Sequence, residues 1–289
     1  MRNGPAGGDG PHARHRAGSL MVDPARLASE LASADDALAA RIEDAGLNAA
    51  HPPEQLLYDG WLLRHCPGKA RRARSVNAIA DGRLPLQAKI DHCRAFYARA
   101  CLPCLFRITP FSRPPGLDEA LARQGFVAED ETRVMALALG GALPPAEHAP
   151  DELGADEFAQ RVGELRGSPA QQVAAHAARL ASSSPLLKAR RLAWVEGGRT
   201  VAVGQSVQEA DLVGLYDIVT AEAARNRGLA TALVKELLRR AREDRAAVAY
   251  LQVSADNISA RHVYQKLGFA DRYAYWYRSE PGAAKSLAA

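Results

Sequence analysis

This chain has no run of the roughly 18–20 consecutive apolar residues that a membrane helix requires, so no helical membrane span is expected in its 289 residues. The stretch 1–20 is rich in Gly, Pro, Arg and His with no apolar centre, so no secretory signal is expected there either, and the cytoplasm is the expected compartment. Cysteine is scarce. Cys66, Cys93, Cys101 and Cys104 all lie in the first half, and the single Cys101-x-x-Cys104 has no second Cys or His pair at zinc-site spacing. Reduced thiols and no metal are the expectation. Charge of one sign is also lacking: 37 Lys and Arg stand against 33 Asp and Glu, and a net +4 is too little for a nucleic-acid binder. Neither Gly-x-x-x-x-Gly-Lys-Ser/Thr nor Gly-x-Gly-x-x-Gly occurs, which excludes the two commonest nucleotide loops. What excess charge there is clusters at Arg2, Arg14 and Arg16 and again at Lys69, Arg71, Arg72 and Arg74. The second cluster reads either as a solvated face or as a patch that attracts an anionic ligand.

The length suits two domains. Residues 1–20 read as a disordered extension, and Met21 begins a different texture and is a candidate start. Residues 21–140 form one expected domain, 141–154 a linker rich in Gly, Pro and Ala, 155–279 a second domain, and 280–289 a disordered tail. The first domain is predicted to open with a helix from Asp23 to Gly46, with Leu27, Leu31, Leu38 and Ile42 at helical spacing. Strands at 58–65 and 75–79, a helix at 86–99, a strand at 105–109, a helix at 117–125 and a strand at 134–139 follow. The second is predicted as helices at 155–166 and 169–182, strands at 191–196, 200–208 and 211–219, a helix at 229–243, a strand at 248–253, a helix at 258–267 and a strand at 273–278. Meandering strands followed by alternating helices and strands make an α/β (α+β) class with a mixed sheet. The two halves also repeat. The order of strand, short helix, Gly125-Phe126 and strand recurs around Gly268-Phe269, which points to two copies of one fold in tandem.

The stretch richest in chemistry is Leu215-Tyr216-Asp217-Ile218-Val219-Thr220 followed by Arg225-Asn226-Arg227-Gly228-Leu229-Ala230-Thr231. A strand enters a turn and the turn opens a helix. The first amides of a helix have no helical partner, and the macrodipole makes that end positive. Small residues such as Gly228 and Ala230 let an anion approach those amides, and Arg225 and Arg227 add cationic charge. Downstream come Asn257, Tyr264 and Leu267-Gly268-Phe269. The remaining histidines, His176 and His262 among them, show no partner spacing that suggests a triad or a metal, and Trp61, Trp194 and Trp276 read as core.

Taken together, Arg225 to Ala230 resembles the acyl-CoA pyrophosphate loop of the GCN5-related N-acetyltransferase (GNAT) superfamily. Asn257 to Phe269 resembles the segment that follows it there. The first half resembles a second, degenerate GNAT-like module through Gly60-Trp61-Leu62-Leu63-Arg64 and Ser75-Val76-Asn77, with no counterpart of the Arg-x-x-Gly-x-Ala loop between Ile79 and Leu86. The resemblance implies a GNAT fold in two tandem modules and acetyl-CoA as co-substrate. It implies that the backbone of Ile218, Val219 and Thr220 pairs with pantetheine and that amides from Arg225 to Thr231 hold the pyrophosphate. Asn257 would bond the pantetheine arm, and Tyr264 would protonate the departing thiolate. The base that takes the proton from the amine is left open between Asp217, Glu209, Glu222 and a water chain, with Asp217 placed toward the substrate by strand alternation. The expected partners are acetyl-CoA and an amine acceptor, without nucleic acid or membrane, in a monomer or homodimer. The alternative is a catalytically silent acyl-CoA sensor or interaction module.

Overall fold

A computed structural model describes residues 36–66, 70–141 and 149–280. The expected extension at 1–20, the helix start at Asp23, Lys69, half of the linker (142–148) and the tail beyond 280 lie outside the described residues. The first described helix, α1, runs Ala37–Ala49, capped by the Asp36 carboxylate, which accepts from Ala39 N–H at 3.0 Å. The predicted strand at 58–65 is instead a hairpin. Asp59 and Gly60 both take positive φ (44° and 84°), so β1 (Glu54–Tyr58) folds back on β2 (Trp61–His65) with Tyr58 facing Trp61. Asp-Gly between two apolar runs is a two-residue turn signal.

A 3₁₀ turn at Arg71–Ala73 leads into β3 (Val76–Ala78), α2 (Leu86–Arg99), β4 (Leu105–Ile108), α3 (Leu117–Arg123) and β5 (Val127–Ala138). The second half continues with β6 (Asp151–Glu152), α4 (Ala155–Arg166), α5 (Ala170–Ala181), β7 (Lys188–Glu196), β8 (Arg199–Glu209) and β9 (Leu212–Thr220). It closes with α6 (Leu229–Glu243), β10 (Val248–Ser254), α7 (Ile258–Lys266) and β11 (Ala270–Ser279). Several strands are longer than predicted, β5, β11 and β7 by three residues or more; β5 and β11 begin directly after Phe126 and Phe269, so the apolar alternation understates them. No described helix is long and apolar enough to cross a membrane.

All eleven described strands join one sheet in the order β1-β2-β3-β4-β11-β5-β10-β9-β8-β7-β6. That order has an approximate mirror at its centre. Moving outward from the middle, β4 and β10 each flank the central pair, and each is followed by a parallel neighbour: β4 by β3, and β10 by β9. The central pair is exchanged. β11, which ends the second half, lies beside β4 of the first, while β5 lies beside β10 of the second. Both strands leave the same kind of helix cap. Gly125 (φ 84°) and Gly268 (φ 94°) follow α3 and α7 in the left-handed region, and Phe126 and Phe269 N–H reach back to Leu121 O and Tyr264 O at 3.1 and 3.0 Å. Leu121 in the first half thus takes the place that Tyr264 takes in the second.

Each half buries its own core. Trp61, Phe106, Phe126, Ile90 and Tyr97 pack between α2, α3 and the first half of the sheet. Leu233, Val234, Leu237, Leu238 and Ala241, one face of α6, pack on Val213, Leu251 and Phe269. A third cluster covers the exchanged strands, where Ile42 of α1 meets Val134, Tyr250, Tyr273 and Tyr275. Within it Glu43 forms a buried ion pair with Arg107, and Tyr273 Oη donates to Glu43 Oε2 at 2.8 Å.

Candidate active site

The parallel ladder between β9 and β10 ends at Leu215 opposite Leu251. Beyond it β9 continues against β8 and β10 continues against β5, so the two strands part. A bulge in β9 widens the gap. Gly204 alone on β8 opposes both Asp217 and Ile218, and Asp217 takes φ 50°. A Cβ on Gly204 would lie 2.5 Å from Ile218 Cδ1, so the glycine leaves the space that the Ile218 side chain fills beside the bulge. Strand alternation therefore fails here: Tyr216, Asp217 and Ile218 all line the cavity.

That cavity, of about 870 Å³, is walled by both halves. β9, β10, α4, α5 and α7 form one side, while the 3₁₀ turn at Arg71–Ala73 and Tyr275 and Tyr277 of the exchanged β11 form the other. Among the residues expected at the site, Asp217, Ile218, Asn257 and Tyr264 meet on its wall. Val219 and Thr220 continue β9 past it, paired with Val203 and Ala202. The loop from Arg225 to Thr231 stands outside the wall, at the end of the same strand.

That loop has the form an anion requires. Asn226 (φ 61°) and Gly228 (φ 78°) are left-handed, and a Cβ at Gly228 would meet nothing within 4 Å. The first bond of α6 runs from Ala232 N–H to Gly228 O at 2.9 Å, so the preceding amides are outside the helical ladder. Arg225 is exposed, 4.0 Å from Glu222. Arg227 is held by Glu196 in a two-pronged pair of 2.8 and 3.0 Å and must exchange that partner to touch a phosphate. An open glycine, amides outside the ladder and two arginines fit a pyrophosphate.

Asp217 is held at three points. Gln205 Nε2 donates at 3.0 Å and Arg166 Nη2 at 3.2 Å, and His176 Nε2 lies 3.3 Å away. Burial alone would raise this carboxyl, but His176, Arg166 and Arg179 outweigh it and hold it well below the usual carboxylate range. A carboxylate so firmly ionised is a weak proton acceptor. The imidazole beside it is another matter. His176, on α5, sits edge-on to Phe158 on the same wall as Asp217, and sequence spacing gives no reason to join them. The only signal is faint: one histidine on an otherwise Ala-rich helix, two strands away in the chain from its partner. Of the other candidate bases, Glu209 accepts from Asn48 at 3.1 and 3.2 Å and Glu222 is exposed, and neither lines the cavity.

Tyr264 projects from α7 with its ring edge-on to Phe269, and burial pushes its hydroxyl up to about 12. It is therefore protonated across the neutral range, as a proton donor must be. Asn257 caps α7, its Oδ1 accepting from Ala260 N–H at 3.1 Å. That leaves its Nδ2 as the group with donors to offer a ligand. The basic cluster turns out not to be a solvated face. Arg74 is buried, and Arg71 and Arg72 are half-buried in the cavity wall. Trp61 and Trp276 are core, as read, and Trp194 is half-buried. Among the described residues no group of three His, Cys, Asp or Glu side chains is placed to hold a metal.

A parallel strand pair that parts, a tyrosine on the wall of the gap and a glycine-opened helix beyond it are what the mixed sheet assembles here. Residues 164–269 match the acetyltransferase (GNAT) family. It is 29% identical over 231 residues to YobR of Bacillus subtilis, described as an uncharacterized N-acetyltransferase, covering 75% of this chain and 89% of that one. A GCN5-related N-acetyltransferase from Kribbella flavida shares the fold at 17% identity and a TM-score of 0.62, covering 85% of this chain and 96% of that one. A tandem GNAT protein from the clavulanic acid biosynthesis pathway aligns at 18% identity and a TM-score of 0.52, covering 67% of this chain and 69% of its own.

Proposed function

We propose that the chain is an acetyl-CoA-dependent N-acetyltransferase acting on a primary amine of a small molecule or peptide. One arrangement carries this reading: the gap between β9 and β10 has Tyr264 and the His176–Asp217 pair on its wall, and β9 leads on from it to the loop with open amides at the start of α6.

Acetyl-CoA, when bound, supplies the acyl group as an activated thioester. Amides from Arg225 to Thr231 hold its pyrophosphate, the free edge of β9 from Ile218 to Thr220 takes the pantetheine arm as a neighbouring strand would, and Asn257 Nδ2 donates to that arm. An amine with an ordinary pKa near ~10.4 arrives protonated at neutral pH. His176 accepts its proton, and Asp217, ionised throughout, orients the ring and stabilises the imidazolium. The amine nitrogen then bonds to the acyl carbon as the carbon–sulfur bond breaks. Tyr264 gives its hydroxyl proton to the sulfur, and water carries the proton on His176 back to Tyr264. The amide nitrogen sheds its remaining extra proton to solvent. Amide and free thiol leave, and both side chains return to their starting forms.

The test is binding. Acetyl-CoA at a hundredfold over its Kd should add about 2.7 kcal/mol to stability, a rise of several degrees in Tm. Gly228→Glu places a carboxylate at the phosphate site and should remove that rise, whereas Gly228→Ala, which shares the strain of a left-handed backbone but meets open space and adds no charge, should keep part of it. A rise that survives Gly228→Glu would refute the placement of the pyrophosphate.

A further inference from the structure

The acceptor side of the cavity carries more positive charge than the chain neutralises. Arg71, Arg72, Arg166 and Arg179 line it, against Asp130 and Asp217. Two of the arginines are answered. Arg71 pairs with Glu129 and Asp130 at 2.9 and 3.0 Å, and Arg166 with Asp217. Arg72 and Arg179 have no carboxylate within ion-pair distance among the described residues. Glu43, whose field reaches Arg72, has both oxygens committed to Arg107 and one also to Tyr273.

Arg72 is the sharper case. Its Nε is shielded from solvent with no hydrogen-bond partner, and its guanidinium stands 5.9 Å from the centre of the Tyr216 ring. Burial opposes its charge, and Arg107 adds to that. The Tyr216 ring, not a carboxylate, is the neighbour that faces this cation. A guanidinium partly withdrawn from water without a counter-ion carries a desolvation cost that an anionic ligand would relieve. Tyr216 adjoins Asp217, so this cation and the proposed proton acceptor flank the same space. Arg72 comes from the first half of the chain and Arg179 from the second.

Building on the transferase reading, we infer that the acceptor is a small amine bearing an anionic group, a carboxylate or a phosphate monoester, which docks on Arg72 with Arg179 adding charge. The fork of a guanidinium matches either anion. The first half of the chain then contributes the acceptor's anchor, while the second holds the acyl donor.

Matched pairs of amines test this on the full-length protein with CoA release as the readout: each α-amino acid beside its amide, and aminoethyl phosphate beside ethanolamine. At least one anionic member should exceed its neutral partner in kcat/KM by about 10- to 100-fold, the range expected for a charge-assisted bond. Which pair shows it separates carboxylate from phosphate. Arg72→Gln should collapse that ratio, and Arg72→Lys should keep part of it. Neutral partners used as well or better, or a chain that binds acetyl-CoA yet acetylates no anionic amine, would overturn the inference without any variant. A ratio unchanged in folded Arg72→Gln would also overturn it. Failure of the wild-type chain to bind acetyl-CoA in calorimetry would bring down the transferase reading itself, and this one with it.

Discussion

Each half has a parallel strand pair, and the space beside each is filled differently. Between β9 and β10 the space is a cavity of about 870 Å³; beside β3 and β4 it is about 180 Å³, lined by Glu43, Asn77, Arg107 and Ser112. The buried Glu43–Arg107 pair occupies what the other half leaves open. The helix starts differ as sharply. α6 opens at a left-handed glycine with amides outside the ladder, whereas α2 opens at Pro85, and the amides just before it are already satisfied: Arg83 and Leu84 N–H donate to the Asp59 carboxylate at 2.9–3.0 Å. A Cβ on Gly82 would fall 1.9 Å from that carboxylate. The chain supplies its own anion at the place where, in the other half, the proposed pyrophosphate would sit. Where Tyr264 stands in the second half, the first has Leu121. Strand geometry makes a groove in both, and side chains decide which groove takes a ligand.

That contrast can be broken at several points. Glu43→Gln leaves Arg107 buried without its counter-ion and should lower stability by about 3–5 kcal/mol in urea unfolding. Glu43→Leu with Arg107→Met should restore most of it, with acetyl-CoA affinity retained. Were affinity lost with the pair, the filled groove would be part of the site. Tyr264→Phe should reduce kcat by about a hundredfold or more with little change in acetyl-CoA affinity, measured by steady-state kinetics beside calorimetry. An equal kcat would leave Tyr264 no more catalytic than Leu121. Asp59→Ala frees the amides before α2, and titration should still find one acetyl-CoA per chain, with a smaller loss of stability than Glu43→Gln; a second equivalent would show that only the carboxylate kept the first half closed. The smallest effect is on acid stability. On α6, hydrogen bonds from Arg239, and then Arg240, bring Glu236 down to about 2 against burial. The folded pKa is depressed, so this contribution is whole above about pH 4.5 and is lost as pH falls toward 2. Glu236→Gln should flatten that part of a pH–stability curve.

Much of this is readable before any coordinates. The glycine-opened loop, Asn257, Tyr264 and the repeat around the two Gly-Phe pairs are all local patterns, and helices 86–99, 155–166 and 229–243 fall where their periodicity places them. The Asp59-Gly60 turn is equally local, yet a reading of 58–65 as one strand passes over it. What lies beyond reach depends on distant neighbours. Alternation puts Asp217 toward the substrate, but its role turns on a bulge that Gly204 permits and on His176, which a separate helix brings to it. Arg71, Arg72 and Arg74 look like surface charge in a linear string, and only the closing of one half on the other buries them. The exchange of β5 and β11 leaves no trace in composition, because either partner offers the same apolar edge.

That exchange bears on the history of the chain. With its last strand lodged in the neighbour's sheet, either half alone would leave that strand without a neighbour on both sides, and the two should melt in one transition. The arrangement is what two copies of a strand-trading dimer would become if their genes were fused. Once fused, the first copy could lose its glycine loop and its tyrosine, but the second copy would still need it as the place where its own last strand is seated.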